Sequence, residues 1–384
     1  MLAIDHDYLA RILRDLVRIN SVNPMLDPSA PGEREIAECV GRAMGELGAK
    51  VHYHEPRPGR VSVVARLRGS KPGRSLMLNA HIDTVDVAGM DEPLSGDIRR
   101  GRLYGRGAFD MKGGLAAMMA AMKALADAGC PHGGEILLAG VADEEYASLG
   151  TEDLVGRYRP DGAIVTEPTG LDICLAHKGF AWMAITTHGK AAHGSRFDLG
   201  IDANMKMGRV LADLDRLEQD LRQRTPHPLV GPPSLHAATL AGGSGLSTYA
   251  ASCRLQIERR TIPGETREAI VEEIESIIER QRARDPSFDA DLEVLLVREP
   301  FEVAPDAAIV SALAEASTEV LGHRPAFAGQ TPWMDAALLA AAGIETVVMG
   351  ATGAGAHANE EWVDLGSVDH LAACLAEAAL RYCR

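Results

Sequence analysis

Basic residues are scarce in this chain. It carries 39 Lys and Arg against 54 Asp and Glu, a formal charge of -15. A nucleic-acid surface draws its affinity from a basic stripe that releases counterions, so this balance argues against one. The acidic residues are spread along the chain and form no tail, so the acidity serves solubility. No apolar run approaches the roughly 20 residues of a membrane span. The first residues, MLAIDHDYLARILRDL, lack the basic start and apolar core of an export signal. The six cysteines, at 39, 130, 174, 253, 374 and 383, show no CxxC pair and no metal spacing. They read as reduced structural thiols of a cytoplasmic protein. Aromatic residues make up only 4%, which suggests no large stacking pocket. Internal repeats and low-complexity tracts are absent.

The 384 residues suffice for two domains, each with its own core. Leu9, Ile12, Leu13, Leu16 and Val17 recur with helical period and predict a surface helix with one buried stripe. A second helix is expected over 32–47 and a strand over 61–67. Strands and helices then alternate to about Thr166, the pattern of a layered α/β domain. The helix expected over 112–127 (KGGLAAMMAAMKALAD) is apolar on most faces, so its Met pairs read as core packing and not as metal ligands. After His177-Lys178-Gly179 the order changes to strand 180–187, helix 201–222, strands 234–241 and 252–259, helix 265–284 and strand 291–297. That β-α-β-β-α-β order is the ferredoxin-like split unit. The fold class expected is α/β: a layered domain over 1–177 and 300–384 with a central, mostly parallel sheet, and an inserted ferredoxin-like domain over 178–299. Helices over 307–321 and 333–342, a strand over 346–349 and a last helix complete the layered part.

Five acidic and histidine clusters carry the chemistry, most of them just after an apolar, strand-like run. His81-Ile82-Asp83 follows SLMLN and puts an imidazole and a carboxylate on one side of an extended stretch. An aspartate there can accept the second ring N–H and fix the tautomer. A polar turn is the plain alternative for this cluster taken alone. In Gly105-Arg106-Gly107-Ala108-Phe109-Asp110, a dinucleotide fingerprint is ruled against by Asp110 in the sixth position, where a carboxylate would repel a pyrophosphate. A carboxylate bridging two cations about 3.5–4 Å apart fits better. Asp143-Glu144-Glu145 ends the run EILLAGV, where three acids are costly without a counter-charge. Alternating directions let one glutamate bind metal while its neighbour faces a water. Alone, this cluster would read as a solvated acidic turn. Glu167 follows another apolar run, with Pro168 stiffening the turn, and His357 sits on the small-residue loop GAGAH. Open α/β sheets bind ligands outside the carboxyl ends of their strands. Mixed imidazole and carboxylate donors suit hard and borderline cations. Together these clusters point to a metal-dependent hydrolytic site.

The stretches LNAHIDTV, GRGAFDMKGG, ADEEYASLGT, TEPT, HGKAAHGS, ERRTIPGE and GAGAHANEEWV, in that order across nearly the whole chain, resemble the M20 metallopeptidase and aminoacylase family. Acetylornithine deacetylase, succinyl-diaminopimelate desuccinylase and carboxypeptidase G are among its members. The resemblance implies two divalent ions, zinc first and cobalt or manganese as alternatives. His81, Asp110 and Glu167 would hold one; Asp110, Glu145 and His357 the other, with Asp110 bridging. Glu144 would be the general base, and Asp83 would orient His81. The Asp110–Met111 bond is expected to be cis. His193 would reach a partner subunit's site in a homodimer and donate to the oxyanion, and Arg260 would hold the substrate's carboxylate. Arg259, on the opposite face of its strand, is expected to be solvated. The inserted domain would serve as lid and dimerisation surface. Ser247 and Ala250 stand where many members carry Asn and Pro, so substrate contacts through that loop differ from theirs. The activity implied is hydrolysis of the amide of a small N-acyl amino acid. A dipeptidase or carboxypeptidase, or a non-catalytic binding protein, are the alternatives.

Overall fold

The computed structural model describes every residue, Met1–Arg384. The chain divides into two compact units. One comprises Met1–Leu175, Val303–Ala328 and Met334–Arg384; the other comprises Ala176–Glu302 and Gly329–Trp333. The short stretch Gly329–Trp333, which the sequence assigns to the layered part, belongs to the second unit. Lys178 donates its N–H to the Gln330 carbonyl at 3.3 Å, and the Trp333 indole donates to the Glu299 carbonyl at 3.0 Å. This also shortens the helix expected over 333–342 to Ala336–Ala341.

The first unit is built on a sheet whose central strands run Glu135–Val141, Leu76–His81, Gly162–Val165 and Glu345–Val348, all parallel. These strands are buried along nearly their whole length, the mark of a sheet covered on both faces. The strands flanking these four pair antiparallel. Arg60–Arg68 joins Glu135–Val141 antiparallel, Lys50–Arg57 joins Arg60–Arg68 antiparallel, and Ile173–His177 joins Glu345–Val348 antiparallel. The sheet is therefore mixed, because its outer strands are joined by hairpins or reversed returns instead of helical crossovers. Lys50–Arg57 was not expected: its half-exposed side chains give no apolar run.

Helix Gly113–Asp127 buries almost every residue, which its all-round apolar sequence requires. It packs on Leu365–Tyr382 and His6–Arg18. In the latter, Leu9, Ile12, Leu13, Leu16 and Val17 form the buried stripe, and Asp5 caps it by accepting the Tyr8 N–H at 2.9 Å. No helix is long and apolar enough to cross a membrane.

The second unit holds a four-stranded antiparallel sheet in the order Ser234–Gly242, Ser252–Thr261, Gly179–His188, Asp289–Arg298. Helices Ala203–Gln223 and Arg267–Arg284 complete a ferredoxin-like fold. Their apolar faces meet Met183, Ile185, Leu255 and Ile257 in one core. Arg259 lies on this covered face and is fully buried, not solvated. It is paired with Glu265, with Glu273 at 3.3 Å and with the Arg260 carbonyl at 2.6 Å. Arg259 does point to the face opposite Arg260, and that face is the one the helices cover.

Candidate metal centre

The parallel strands bring their carboxyl ends to one end of the sheet. His81 closes Leu76–His81 and pairs in register with Val141, two residues before Asp143. Val165, two residues before Glu167, pairs with Val348, which leads into the loop carrying His357. Helix Gly113–Asp127 is drawn against the same end: a Cβ on Gly114 would lie 2.3 Å from the Thr166 carbonyl oxygen, so only glycine allows this approach.

Asp110 stands at the middle. Its Oδ1 is 3.1 Å from His81 Nε2, and its Oδ2 is 3.5 Å from His357 Nε2. His81 Nε2 is also 3.6 Å from Glu167 Oε1, and His357 Nε2 is 3.1 Å from Glu145 Oε2. Ligand atoms of His81, Glu144 and Glu167 lie within 4.8 Å of one another, as do those of His81, Asp110 and Glu145. His81 and Glu167 are buried, whereas the His357 side chain is 55% exposed. The structure thus collects His81, Asp110, Glu144, Glu145, Glu167 and His357 at one place. Two imidazoles and four carboxylates fit two divalent cations, with one oxygen of Asp110 turned to each imidazole.

The electrostatics fit as well. Burial pushes the Glu144 and Glu167 carboxyls well above their ordinary range, and raises Glu145 too. Burial opposes the ionisation of Asp110, yet hydrogen bonds from His357 and His81 outweigh it and hold that carboxyl low. Burial likewise opposes charging of His81, but Glu167, Asp110 and Glu144 prevail and raise it well above the usual value. Hydrogen bonds to Asp110 and Glu145 push His357 up to about 10. A pocket with this excess of carboxylates calls for positive charge.

Several details differ from the sequence-based expectation. Asp110 does not open the helix. It sits in an irregular turn, φ -117° and ψ 96°, and regular helix begins at Gly113. The turn is pinned by Glu361, a buried carboxylate that accepts from Gly107 N (3.0 Å), Phe109 N (2.9 Å), Asp110 N (3.0 Å) and Arg106 Nη1 (2.7 Å). The Asp110–Met111 bond is cis. Glu144 and Glu145 do not alternate along a strand; they leave a tight turn in which Asp143 has φ 76°. The His81 Nδ1 partner is the backbone carbonyl of Asp83 at 3.0 Å, with the carboxylate at 3.7 Å. That contact fixes Nδ1 as the donor and leaves Nε2 facing Asp110. The Asp83 carboxylate instead accepts the N–H groups of Glu144 (3.1 Å) and Glu145 (3.2 Å) and the amide of Asn23 (2.8 Å).

His193 and Arg260 belong to the second unit. His193 is exposed, with Nδ1 2.8 Å from Ser195 Oγ. Arg260 lies over the Phe180 ring at 5.4 Å and donates through Nε to Glu258 at 2.7 Å. The sequence reading passed over Asn23, Arg60, Glu33, Arg106 and Glu361, all buried polar residues of the first unit. Arg106 and Glu361 lie within GRGAFDMKGG and GAGAHANEEWV, whereas Asn23, Arg60 and Glu33 give no local signal beyond a polar residue in an apolar or turn-forming stretch.

The chain matches the model of peptidase family M20/M25/M40 over residues 77–381. It is 31% identical over 337 residues to an acetylornithine deacetylase of Myxococcus xanthus, covering 84% of each chain. Its fold is that of aminopeptidase PepT from Bacillus cereus, with a TM-score of 0.81 and 20% identity over 99% of this chain and all (100%) of that one. It also matches a dinuclear metal binding peptidase of the M20 family from Bacillus subtilis, with a TM-score of 0.75 and 17% identity over 98% and 97% of the two chains. With the donor set already described, these likenesses identify the chain as a member of peptidase family M20/M25/M40, a metallo-amidohydrolase with a site for two divalent cations.

Proposed function

We propose that the chain removes the acyl group from small N-acyl amino acids by hydrolysing their amide bond. The observation that carries this reading is Asp110, whose two carboxylate oxygens address two different imidazoles. His81, Asp110 and Glu167 would hold one cation, and Asp110, Glu145 and His357 the other. When bound, the pair supplies Lewis acidity, acidifying water and polarising the scissile carbonyl. Zinc suits these donors, as do cobalt and manganese. Glu144 then acts as general base: it takes a proton from the attacking water and returns it to the leaving nitrogen. Its burial keeps the carboxyl basic enough for both transfers. His193 donates to the oxyanion of the tetrahedral intermediate. Arg260, engaged by Glu258 through Nε, offers its other nitrogens to the substrate carboxylate.

In this reading the first unit is the catalytic domain and the second a lid that also dimerises. Support for a homodimer comes from Ser234–Gly242, an edge strand exposed from His236 onward with Leu240 uncovered. The absence of any CxxC pair or metal spacing among the cysteines in the sequence favours a reducing compartment, the cytoplasm. The deacetylase relative favours acyl-amino acids over peptides. The test is a panel of N-acyl amino acids and dipeptides offered to chelated protein with Zn²⁺, Co²⁺ or Mn²⁺ restored. Metal-restored turnover of acyl-amino acids is expected. Turnover of dipeptides alone would replace the deacylase by a peptidase, and no turnover with any cation would overturn the reading.

A further inference from the structure

We propose that Asn23 and Arg60 are positioning residues that set the loop carrying Glu144 and Glu145; this rests on the reading of Glu144 as general base. The loop depends on Asp143. Its φ of 76° lies in the left-handed region, which a non-glycine residue holds only where its surroundings impose it. Its carbonyl accepts N–H groups from Tyr146 at 3.3 Å and Ala147 at 3.0 Å, closing the turn that swings both glutamates round. The conformation is imposed from the side chain. Asp143 Oδ1 forms an ion pair with Arg60 Nη2 at 2.8 Å and accepts from Asn23 Nδ2 at 3.0 Å, and Oδ2 accepts the Leu149 N–H at 3.4 Å.

The second half of the device is Asp83. Its carboxylate holds the two backbone N–H groups of Glu144 and Glu145, and the same Asn23 amide donates to it at 2.8 Å. One NH₂ group therefore ties together the two carboxylates that fix the loop, one through its side chain and one through its backbone. An amide suits this place because it brings two donors and no charge between two anions. Its orientation is settled by the Met25 N–H, which donates to Asn23 Oδ1 at 2.9 Å, and by the Asn23 N–H on the Thr84 carbonyl at 2.9 Å. Behind Asn23, Arg60 is clamped by the buried Glu33 and supplies a cation to both Glu33 and Asp143. Removing a partner from such a buried set leaves uncompensated charge at Asp143, so the loop is the part that yields. A general base displaced by an ångström loses on the order of a hundredfold in rate.

The experiment uses the full metal-loaded chain and the variants Asn23→Leu and Arg60→Gln, with Glu144→Ala as reference. Metal per chain, thermal midpoint, kcat and KM are measured on the folded fraction. Backbone hydrogen exchange is followed at residues 143–149. Both variants are expected to keep two ions per chain and KM within about threefold, while kcat falls by about 30-fold or more. Because both act through Asp143, the double variant should lose little more than the worse single one. The Glu144 and Glu145 amides should exchange at least about tenfold faster. Folded, metal-loaded variants with kcat within about threefold of the parent would overturn the proposal, as would losses confined to KM or metal content. Unchanged exchange at residues 143–149 would overturn it independently of any turnover. Full activity in Glu144→Ala would instead sink the assignment of the base, leaving the exchange result to judge the loop.

Discussion

Glu144 and Asp110 have opposite electrostatic fates within one pocket, and the roles proposed for them rest on that difference. Asp110 receives both imidazoles and stays ionised, as a bridging ligand must. Glu144 is pushed up by burial and by the neighbouring Glu167, as a group that exchanges protons must be. Glu144→Ala is expected to retain both ions and lose about 10³-fold or more in kcat, checked by metal analysis beside steady-state kinetics. The base works ionised, so kcat should fall as pH drops through a value above the ordinary carboxylate range; an acid limb near the usual carboxylate value would contradict the burial argument. Asp335 offers a second check. Burial lifts its carboxyl to about 6, and Thr151 donates to it at 2.6 Å. An acid whose folded pKa is raised stabilises fully below its unfolded value and loses that contribution as pH rises through about 6. Asp335→Asn keeps the acceptor for Thr151. It should gain on the parent by on the order of 2–3 kcal/mol between about pH 4 and pH 7, read from urea unfolding. Single residues were readable in sequence when they belonged to a cluster, as His81, Glu144 and Glu145 did. Asp83 has a second task that the sequence pattern does not show: its carboxylate, 3.7 Å from His81 Nδ1, also accepts the 144–145 backbone N–H groups.

Elements deliver these side chains through close contact. The end of Gly162–Val165 and the start of Gly113–Asp127 touch at Thr166 and Gly114, with no room for a methyl group. Gly114→Ala should cost about 1–3 kcal/mol by overpacking. It should also weaken metal binding, because Thr166 cannot move without Glu167; unfolding curves and metal titration measure the two effects. The loop bearing His357 is tied in the same way: Gly355, with φ 89°, lies against the Glu360 carbonyl, one residue before the Glu361 that pins the Asp110 turn. One short segment therefore serves both Asp110 and His357. Apolar period made the helices legible, since Leu9, Ile12, Leu13, Leu16 and Val17 could only form a buried stripe. The short strands Asp97–Arg99, Arg102–Tyr104, Gly353–Ala354 and Trp362–Asp364 were not legible, because two or three residues carry no period.

Across the whole molecule, metal binding and folding are coupled. The donors come from chain segments between His81 and His357, so the unfolded chain presents no assembled site. Chelation should lower stability by about 4 kcal/mol when free metal stood near a thousand times its Kd, measured as a shift in thermal midpoint. His357, pushed up to about 10 without metal, must shed a proton to bind a cation, and so must His81. Metal affinity should therefore weaken on acidification, by up to about tenfold per pH unit for each proton displaced. Titrations at two pH values check the slope. If the homodimer proposed from the exposed edge strand is correct, light scattering should return twice the 40.9 kDa chain mass.

Local periodicity and the order of motifs already specified a layered α/β part, an interposed ferredoxin-like unit and the six residues gathered at the centre. These features repeat over a few residues or sit beside an apolar strand, so they survive in the bare string of letters. The strand order supplied the rest. It laid Asn23 against Asp143, 120 positions away, and Arg106 against Glu361, 255 positions away. It also turned Arg259 into the core and made the outer strands antiparallel. A buried polar group is satisfied by whichever partner the packing brings near, and packing across a sheet bears no relation to distance along the chain.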